Sequence, residues 1–185
     1  CILCPFGSPW DDMIVNRCYP AKLKPFVQRI ESIVDERKIP NKEEYISDRR
    51  WRMRGSGKYS QNKTSVLFTN NSNKWEAKVR HAQKDIFVWL PTIGKYSILE
   101  NENVIKGELL FGNDVFQFEV FYGDTKQDFH FVLYDNNNIQ LRFYLRRVVN
   151  KAAYCINCES CELECPTGAL SVYPDVAIDK DLCVH

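Results

Sequence analysis

The sequence lacks the features that mark membrane-spanning, secreted or highly charged proteins. No apolar run approaches the ~20 residues that a transmembrane helix needs, so a membrane span is excluded. Basic and acidic side chains, 25 and 24 in number, nearly cancel, and a net charge of +1 gives no global attraction to nucleic acid. The chain shows no secretory signal. A hydrophobic content of 44% excludes a disordered chain and predicts a globular protein of one or two domains.

Common catalytic patterns are missing as well. The three histidines show no H-x-x-H or H-E-x-x-H spacing, and no Ser/His/Asp or Cys/His grouping stands out. Gly55-Ser56-Gly57-Lys58 suggests a phosphate loop, but the Walker pattern requires glycine where Arg52 stands and Ser or Thr where Tyr59 stands. We therefore interpret this segment as a glycine-bearing loop, and no hydrolase or nucleotide-binding site is predicted from these residues.

Helical periodicity marks the first third of the chain. After a segment with three prolines, apolar residues recur at three- and four-residue steps from Pro25 to Pro40, which predicts an amphipathic helix. A second helix is predicted to begin at Asn41 and to end by Gly55.

The period changes to two after residue 65, and short β-branched or aromatic runs predict strands. Gly112–Asp114 and Asp135–Asn138 are predicted hairpin turns. The predicted strands are Ser65–Thr69, Asp85–Leu90, Lys106–Phe111, Val115–Phe121, Phe129–Tyr134 and Ile139–Leu145. His130 falls inside one of these strands and is interpreted as a packed or surface residue.

These patterns predict an α+β protein in three parts. Residues 1–64 form a cysteine-containing helical and basic segment, residues 65–150 a small, mainly antiparallel β domain, and residues 151–185 a cysteine-rich tail.

The eight cysteines are unevenly distributed, because none lies between Cys18 and Cys155. Cys155, Cys158 and Cys161 are too close together for a disulfide framework. A chain of this length also needs no disulfides to build a core. Metal-bound thiolates in a reducing, cytoplasmic setting fit this distribution better.

The tail has the spacing C-x2-C-x2-C-x3-C-P from Cys155 to Pro166, which is the run found in bacterial ferredoxins. Two-residue gaps allow one short loop to direct three thiolates at one cubane cluster. Cys155, Cys158 and Cys161 are therefore predicted to hold one 4Fe-4S cluster, and Cys165 to belong to a second. A single tetrahedral zinc is the alternative, but these four cysteines are crowded for it.

The residues after this run extend the pattern. A short helix is predicted to begin at Thr167–Leu170, and a strand at Val176–Asp179 leads to Cys183, the expected first ligand of a second cysteine run. The tail resembles a dicluster ferredoxin domain, and this resemblance implies two 4Fe-4S clusters in the full-length protein. The chain opens on Cys1 and stops at His185 soon after Cys183, so we expect a segment of a longer protein whose remaining ligands lie beyond His185.

The amino-terminal cysteines are a second candidate metal site. Cys1-Ile-Leu-Cys4-Pro5-Phe6 is a C-x2-C unit, which leaves a zinc knuckle, a redox pair and half of an iron-sulfur site open. Cys18 is a candidate third ligand, and a buried small hydrophobe is its alternative role.

The order of these features resembles proteins related to phosphoadenosine-phosphosulfate reductase. The resemblance rests on the C-x2-C-P-F unit, Trp10-Asp11-Asp12, an Arg/Trp-rich stretch, the β domain and the ferredoxin tail. It implies an oxidoreductase or sulfur-transfer enzyme whose nucleotide-binding domain, with a Ser-Gly-Gly-x-Asp-Ser loop, lies upstream in the same chain. The present sequence has no such loop, so catalysis is not expected from this segment alone.

Two charged stretches are candidate partner surfaces. Arg50, Trp51, Arg52 and Arg54 suit contact with a phosphate or nucleic acid, while a solvated helix end is the alternative. The acidic tail suits a basic redox partner, or keeps a small domain soluble. Besides the enzyme, two hypotheses stay open: a ferredoxin module fused to a non-enzymatic RNA- or protein-binding domain, and a nucleic-acid sulfur-modification enzyme.

Overall fold

The computed structural model describes residues 14, 17–36, 38–47, 50, 64–71, 73–101, 104–134, 137–157, 159–163 and 165–183. The chain divides into two compact units, one made of Cys1–Gln61 together with Ile156–Val184 and the other of Asn62–Cys155. The three-part division predicted at residues 64 and 150 stays a prediction. Across the described ranges, no helix has both the length and the apolar character that crossing a bilayer requires.

Helices α1 (Pro20–Glu36) and α2 (Lys42–Ser47) belong to the first unit. The predicted amphipathic helix is confirmed, but it begins at Pro20, so Pro25 lies inside it. Its apolar stripe is buried together with a tyrosine of α2, and this small core consists of Phe26, Ile30, Ile33, Val34 and Tyr45. Apart from Arg50, the part of the predicted second helix beyond Ser47 lies outside the described residues.

The second unit is built on a six-stranded antiparallel sheet with the order β1-β2-β6-β5-β4-β3. This sheet and its helices confirm the α+β class. Gly112 has φ = +63°, and it turns the β4–β5 hairpin as predicted. Two strands, β2 and β3, were not predicted. The strands are β1 (Ser65–Asn71), β2 (Lys74–Arg80), β3 (Lys95–Asn101), β4 (Ile105–Phe111), β5 (Asp114–Tyr122) and β6 (Phe129–Tyr134).

The strand predicted at Asp85–Leu90 is wrong, because helix α3 (Ile86–Trp89) and a 3₁₀ turn (Leu90–Thr92) occupy this segment. The Asp85 carboxylate caps α3 by accepting a hydrogen bond from the Phe87 N–H at 3.0 Å. The same carboxylate accepts a hydrogen bond from the Tyr122 hydroxyl at 2.7 Å. Burial, followed by this bond and the charge of Asp85, raises the pKa of Tyr122 well above its usual value.

The strand predicted at Ile139–Leu145 is also wrong, because helix α4 (Ile139–Tyr154) begins there. The Asn138 side chain caps this helix by accepting a hydrogen bond from the Leu141 N–H at 2.9 Å. The Asn cluster predicted as a hairpin turn therefore leads into a helix.

One face of the sheet is apolar and packs against α4, which contacts β1 and β2. Side chains alternate along β2, where Trp75, Ala77 and Val79 are buried. The other face carries polar residues of β2, β5 and β6. On it, Tyr134 donates a hydrogen bond to Glu119 at 2.5 Å, and His130 Nε2 lies 3.5 Å from a carboxylate oxygen of Glu76. His130 is thus a strand residue, as predicted.

The tail contains helix α5 (Ser160–Leu163) and the two-stranded pair β7 (Leu170–Ser171) and β8 (Ala177–Ile178). The predicted strand at Val176–Asp179 is thus present in part. The predicted helix at Thr167–Leu170 is wrong. Residues 165–168 form a β-turn, closed by a hydrogen bond of 3.2 Å from the Gly168 N–H to the Cys165 carbonyl oxygen. Proline at the second position and glycine at the fourth favour this turn over a helix.

Candidate metal centre

The cysteine loop of the tail begins where α4 ends. Cys155 follows the helix in an extended conformation and is buried. Asn157 and Glu159 have φ values of 56° and 60°. Non-glycine residues seldom adopt this left-handed conformation, and asparagine does so more readily than most. The loop therefore turns sharply on each side of Cys158, a residue outside the described ranges. Such tight turning suits a short loop that wraps a compact group.

Arg29 of α1 fixes this loop, and sequence reasoning missed it. Its Nε lies 3.1 Å from Glu159 Oε1 in an ion pair, and one of its terminal nitrogens donates a hydrogen bond of 3.5 Å to the Asn157 carbonyl oxygen. The guanidinium carbon also lies 4.0 Å from the centre of the Tyr173 ring. A single arginine on the polar side of an amphipathic helix carried no sequence signal for this role.

Two further contacts hold the loop to the rest of the tail. The Asn157 side-chain amide donates a hydrogen bond of 2.7 Å to the carbonyl oxygen of Pro174. The Glu162 carboxylate, on α5, accepts one of 3.0 Å from the Val172 N–H. Ala169, Leu170 and Val172 are buried beside these polar contacts. The two hydrogen bonds therefore tie Asn157 and α5, which contains Cys161, to residues 172–174.

Cys165 occupies the first position of the β-turn. Its sulfur lies 3.6 Å from the Thr167 hydroxyl oxygen. Burial raises the pKa of the Cys165 thiol, but hydrogen bonds from the Thr167 hydroxyl and from backbone N–H groups of residues 167, 169 and 170 outweigh burial. The net effect is a lowered pKa. The turn therefore favours the thiolate, which is the form that binds iron.

Cys183 lies in a turn after β8 that Asp179 organises. The Asp179 carboxylate accepts a hydrogen bond of 2.9 Å from the Asp181 N–H, and its carbonyl oxygen accepts one of 3.0 Å from the Cys183 N–H. The Cys183 side chain is partly buried. Its place after β8 agrees with the predicted order of strand and then cysteine.

Several predicted site residues lie outside the described ranges: Cys1, Cys4, Trp51, Arg52, Arg54 and Cys158. Cys18 is described and exposed, not buried as a small hydrophobe. Arg50 forms an ion pair with Glu44 of α2, which neutralises part of its charge. Among the described side chains, no three His, Cys, Asp or Glu residues form a metal site. The predicted ligand sets therefore stay predictions.

The donor set of the tail fits an iron-sulfur cluster. Cys155, Cys161, Cys165 and Cys183 are all present as thiols and not as disulfides. Thiolates at this spacing on a tightly turned loop are the donors that a 4Fe-4S cluster requires.

Comparison with known proteins identifies the same segment. Residues 151–171 match Fer4, the 4Fe-4S binding domain family. None of the curated proteins and none of the solved structures compared with the chain matches it. Residues 151–171 are thus similar to 4Fe-4S binding domains, and this match supports iron-sulfur electron transfer.

Proposed function

We propose that this chain is the iron-sulfur electron-transfer and accessory part of a larger enzyme that resembles phosphoadenosine-phosphosulfate reductase. The observation that carries the electron-transfer function is the 4Fe-4S family match at residues 151–171, together with the C-x2-C-x2-C-x3-C-P run inside it. The enzyme context rests on the amino-terminal C-x2-C-P-F unit that accompanies this tail in one chain.

In this proposal Cys155, Cys158 and Cys161 hold one cluster, and Cys165 and Cys183 contribute to a second. Cys165 and Cys183 each lie in a hydrogen-bonded turn of their own, outside the loop formed by the first three cysteines. This separation supports two ligand groups over one crowded zinc site. When bound, a 4Fe-4S cluster accepts and donates electrons one at a time.

The surrounding residues would orient the ligands and adjust their electronic environment. Arg29 and Asn157 hold the loop, and the N–H groups and hydroxyl near Cys165 donate hydrogen bonds to its sulfur. Hydrogen bonds to cluster sulfurs and burial are the means by which a protein tunes cluster potential. The nucleotide or sulfur chemistry is proposed to occur on a nucleotide-binding domain upstream, with the sheet as a spacer or recognition surface.

Anaerobic reconstitution of the full-length protein with iron and sulfide tests the cluster assignment. We expect a broad absorption band at about 400 nm and roughly four irons per cluster. C161S should remove about four irons, whereas S171A, outside the ligand run, should retain them all. A protein that binds zinc and never develops the band would disprove this part of the proposal.

The enzyme context needs a separate test. The reduced, reconstituted full-length protein is mixed with phosphoadenosine phosphosulfate, and reoxidation of the cluster is followed by its visible absorbance. Reoxidation that depends on the nucleotide supports the proposed context. A protein whose cluster forms but never responds to the nucleotide would disprove the context and leave the electron-transfer function standing.

The amino-terminal cysteines are proposed to bind zinc or a further iron-sulfur cluster. Metal analysis of the reconstituted C4S variant distinguishes these options, since it should lose either one zinc or a set of irons relative to wild type. Unchanged metal content would remove Cys4 from the ligand set.

A further inference from the structure

Helix α4 carries four basic side chains and no acidic one along its 16 residues: Arg142, Arg146, Arg147 and Lys151. In a protein with a net charge of +1, this is a strong local concentration of positive charge. Within the described part of the chain, none of the four pairs with a carboxylate. The positive potential of the helix is therefore available to an external anion.

The four cations form two rows along α4, in which Arg146 and Arg147 are exposed and Arg142 and Lys151 are half-buried. Arg142 and Arg146 are one turn apart, as are Arg147 and Lys151, and such pairs lie next to each other along a helix. A rotation of about 100° per residue places Phe143 between the two rows. Its side chain is 57% exposed. An exposed aromatic ring thus lies between two rows of positive charge.

Three of the cations contact aromatic rings. The guanidinium of Arg147 lies 5.3 Å from the centre of the Phe143 ring, and that of Arg146 lies 4.9 Å from the Phe68 ring. The ammonium of Lys151 lies 4.9 Å from the Trp89 ring. Cation–π contact restricts these long side chains without using their N–H donors. The donors therefore stay free for phosphate oxygens, and less side-chain entropy is lost on binding.

The ligand that fits this surface has regularly spaced anions and flat apolar groups. Single-stranded nucleic acid has both, because its phosphates suit guanidinium groups and its unpaired bases stack on aromatic rings. An acidic protein would neutralise the cations but would leave the exposed ring without a stacking partner. We propose that the outer face of α4 binds single-stranded nucleic acid, with phosphates at the arginines and an unpaired base on Phe143.

The residues of this proposal differ from those of the Arg50–Arg54 stretch, where Arg50 is paired with Glu44. The proposal does not depend on a bound cluster. It assigns a polynucleotide ligand to the helix that directly precedes Cys155, the first cysteine of the tail.

Fluorescence anisotropy with labelled oligouridylate at low ionic strength tests the proposal on the full chain. R146Q/R147Q should weaken binding by about tenfold or more, and it should reduce the slope of log K against log salt by about 1.4, or about 0.7 for each lost phosphate contact. F143A should weaken binding by roughly fivefold or more through lost stacking. The control K78Q/R80Q removes two exposed cations from β2, on the opposite face of the sheet, and should bind like wild type.

Three results would overturn the proposal: no binding by the wild-type chain, an equal loss in K78Q/R80Q, or unchanged binding by both α4 variants. Binding of poly-glutamate through the α4 arginines without binding of oligouridylate would also overturn it, in favour of an acidic protein. Circular dichroism melts confirm that each variant is folded. Cluster content is measured separately, so a failure of cluster assembly is distinguishable from a failure to bind nucleic acid.

Discussion

Arg29 on α1 and Glu159 in the cysteine loop form an ion pair, with 3.1 Å between Nε and Oε1. The arginine side chain is only 16% exposed and the glutamate side chain 37%. A partly buried pair loses more on disruption than a surface pair, because the remaining charge keeps its desolvation cost. This contact therefore stabilises the cysteine loop more strongly than ordinary surface ion pairs would.

Replacement of Arg29 by methionine should destabilise the first unit. R29M removes the ion pairs with Glu159 and Glu36, the hydrogen bond to Asn157 and the contact with Tyr173. We expect a loss of about 1–3 kcal/mol in the free energy of unfolding. Urea denaturation of the apo-protein, followed by tryptophan fluorescence and far-ultraviolet circular dichroism, measures this loss. The control K24M changes an exposed residue of the same helix and should stay within about 0.5 kcal/mol of wild type. Equal stability of both variants would contradict the role of Arg29.

The reactivity of Cys165 should depend on Thr167. Because the Thr167 hydroxyl favours the thiolate, T167V should raise the pKa of Cys165 and slow its alkylation near neutral pH. The apo-protein is labelled with iodoacetamide across a pH series, and the labelled Cys165 peptide is quantified by mass spectrometry. The pH at which the labelling rate is half-maximal is the midpoint of the Cys165 titration. In T167V we expect this midpoint at higher pH than in wild type. Cys183 in the same samples is the internal reference, and its rate should not change. Coincident Cys165 profiles would rule out the hydroxyl as the cause.

Tyr134 should lose its hydroxyl proton at a higher pH than an ordinary tyrosine does. Its hydrogen bond to Glu119, with burial and the charges of Glu119 and Glu76, raises the pKa of Tyr134 from 10.0 to about 12. The folded state thus holds this proton more tightly than the unfolded chain does. The stabilisation is complete below pH 10 and is lost as the pH rises through about 12.

E119A should move the Tyr134 midpoint down towards 10, since it removes the acceptor and its charge. Tyrosinate absorbance during an alkaline titration reports the shift, and Y134F identifies which step belongs to this residue. A midpoint that is the same in E119A and wild type would show that Glu119 does not hold the proton.

The stability of the protein should depend on Asn138, the residue that caps the amino-terminal end of α4. N138A removes the side-chain acceptor for the Leu141 N–H, and the loss of an N-cap costs about 0.5–2 kcal/mol. Thermal unfolding of the full chain measures the change, with Q140A, an exposed residue in the first turn of α4, as the control. If N138A and Q140A melt at the same temperature as wild type, Asn138 does not act as a cap.

The secondary structure could be predicted from the sequence where a single periodicity extended over a whole segment. In α1, apolar residues recur at helical spacing from Phe26 to Val34, so the helix was predictable, although its first residue was not. Val115–Phe121 and Phe129–Tyr134 are rich in β-branched and aromatic residues, and both are strands. The cysteine run was recognisable because the spacing of its ligands is set by cluster geometry and not by the rest of the fold.

The secondary-structure predictions were wrong where a short stretch of sequence fitted both a strand and a helix. Ile139–Leu145 alternates like a strand over seven residues, but the buried positions of the full helix follow helical steps: Leu141, Leu145, Val148, Val149, Ala152 and Ala153. Asp85–Leu90 is apolar and aromatic, yet Asp85 caps a helical turn there and Pro91 continues it as 3₁₀. β2 was missed because lysine, glutamate and arginine of its solvent face masked the buried alternation of Trp75, Ala77 and Val79.

The contacts of the site were beyond sequence reasoning for a different reason. Arg29 meets Asn157, Glu159 and Tyr173 only after distant parts of the chain have come together. The same holds for α4, whose two rows of cations and central ring become visible only when its buried side is known. Spacing along the chain carries no information on such pairings.

The first unit is discontinuous, since Cys1–Gln61 and Ile156–Val184 form one compact body with Asn62–Cys155 between them. During translation, Asn62–Cys155 is therefore complete before the ribosome has made the cysteine loop that contacts α1 and the strands β7 and β8. We expect nascent chains that stop near residue 155 to contain a finished sheet and an α1 still without Glu159 and Tyr173. Residues 156–184 would then complete the unit that the residues before 62 had begun.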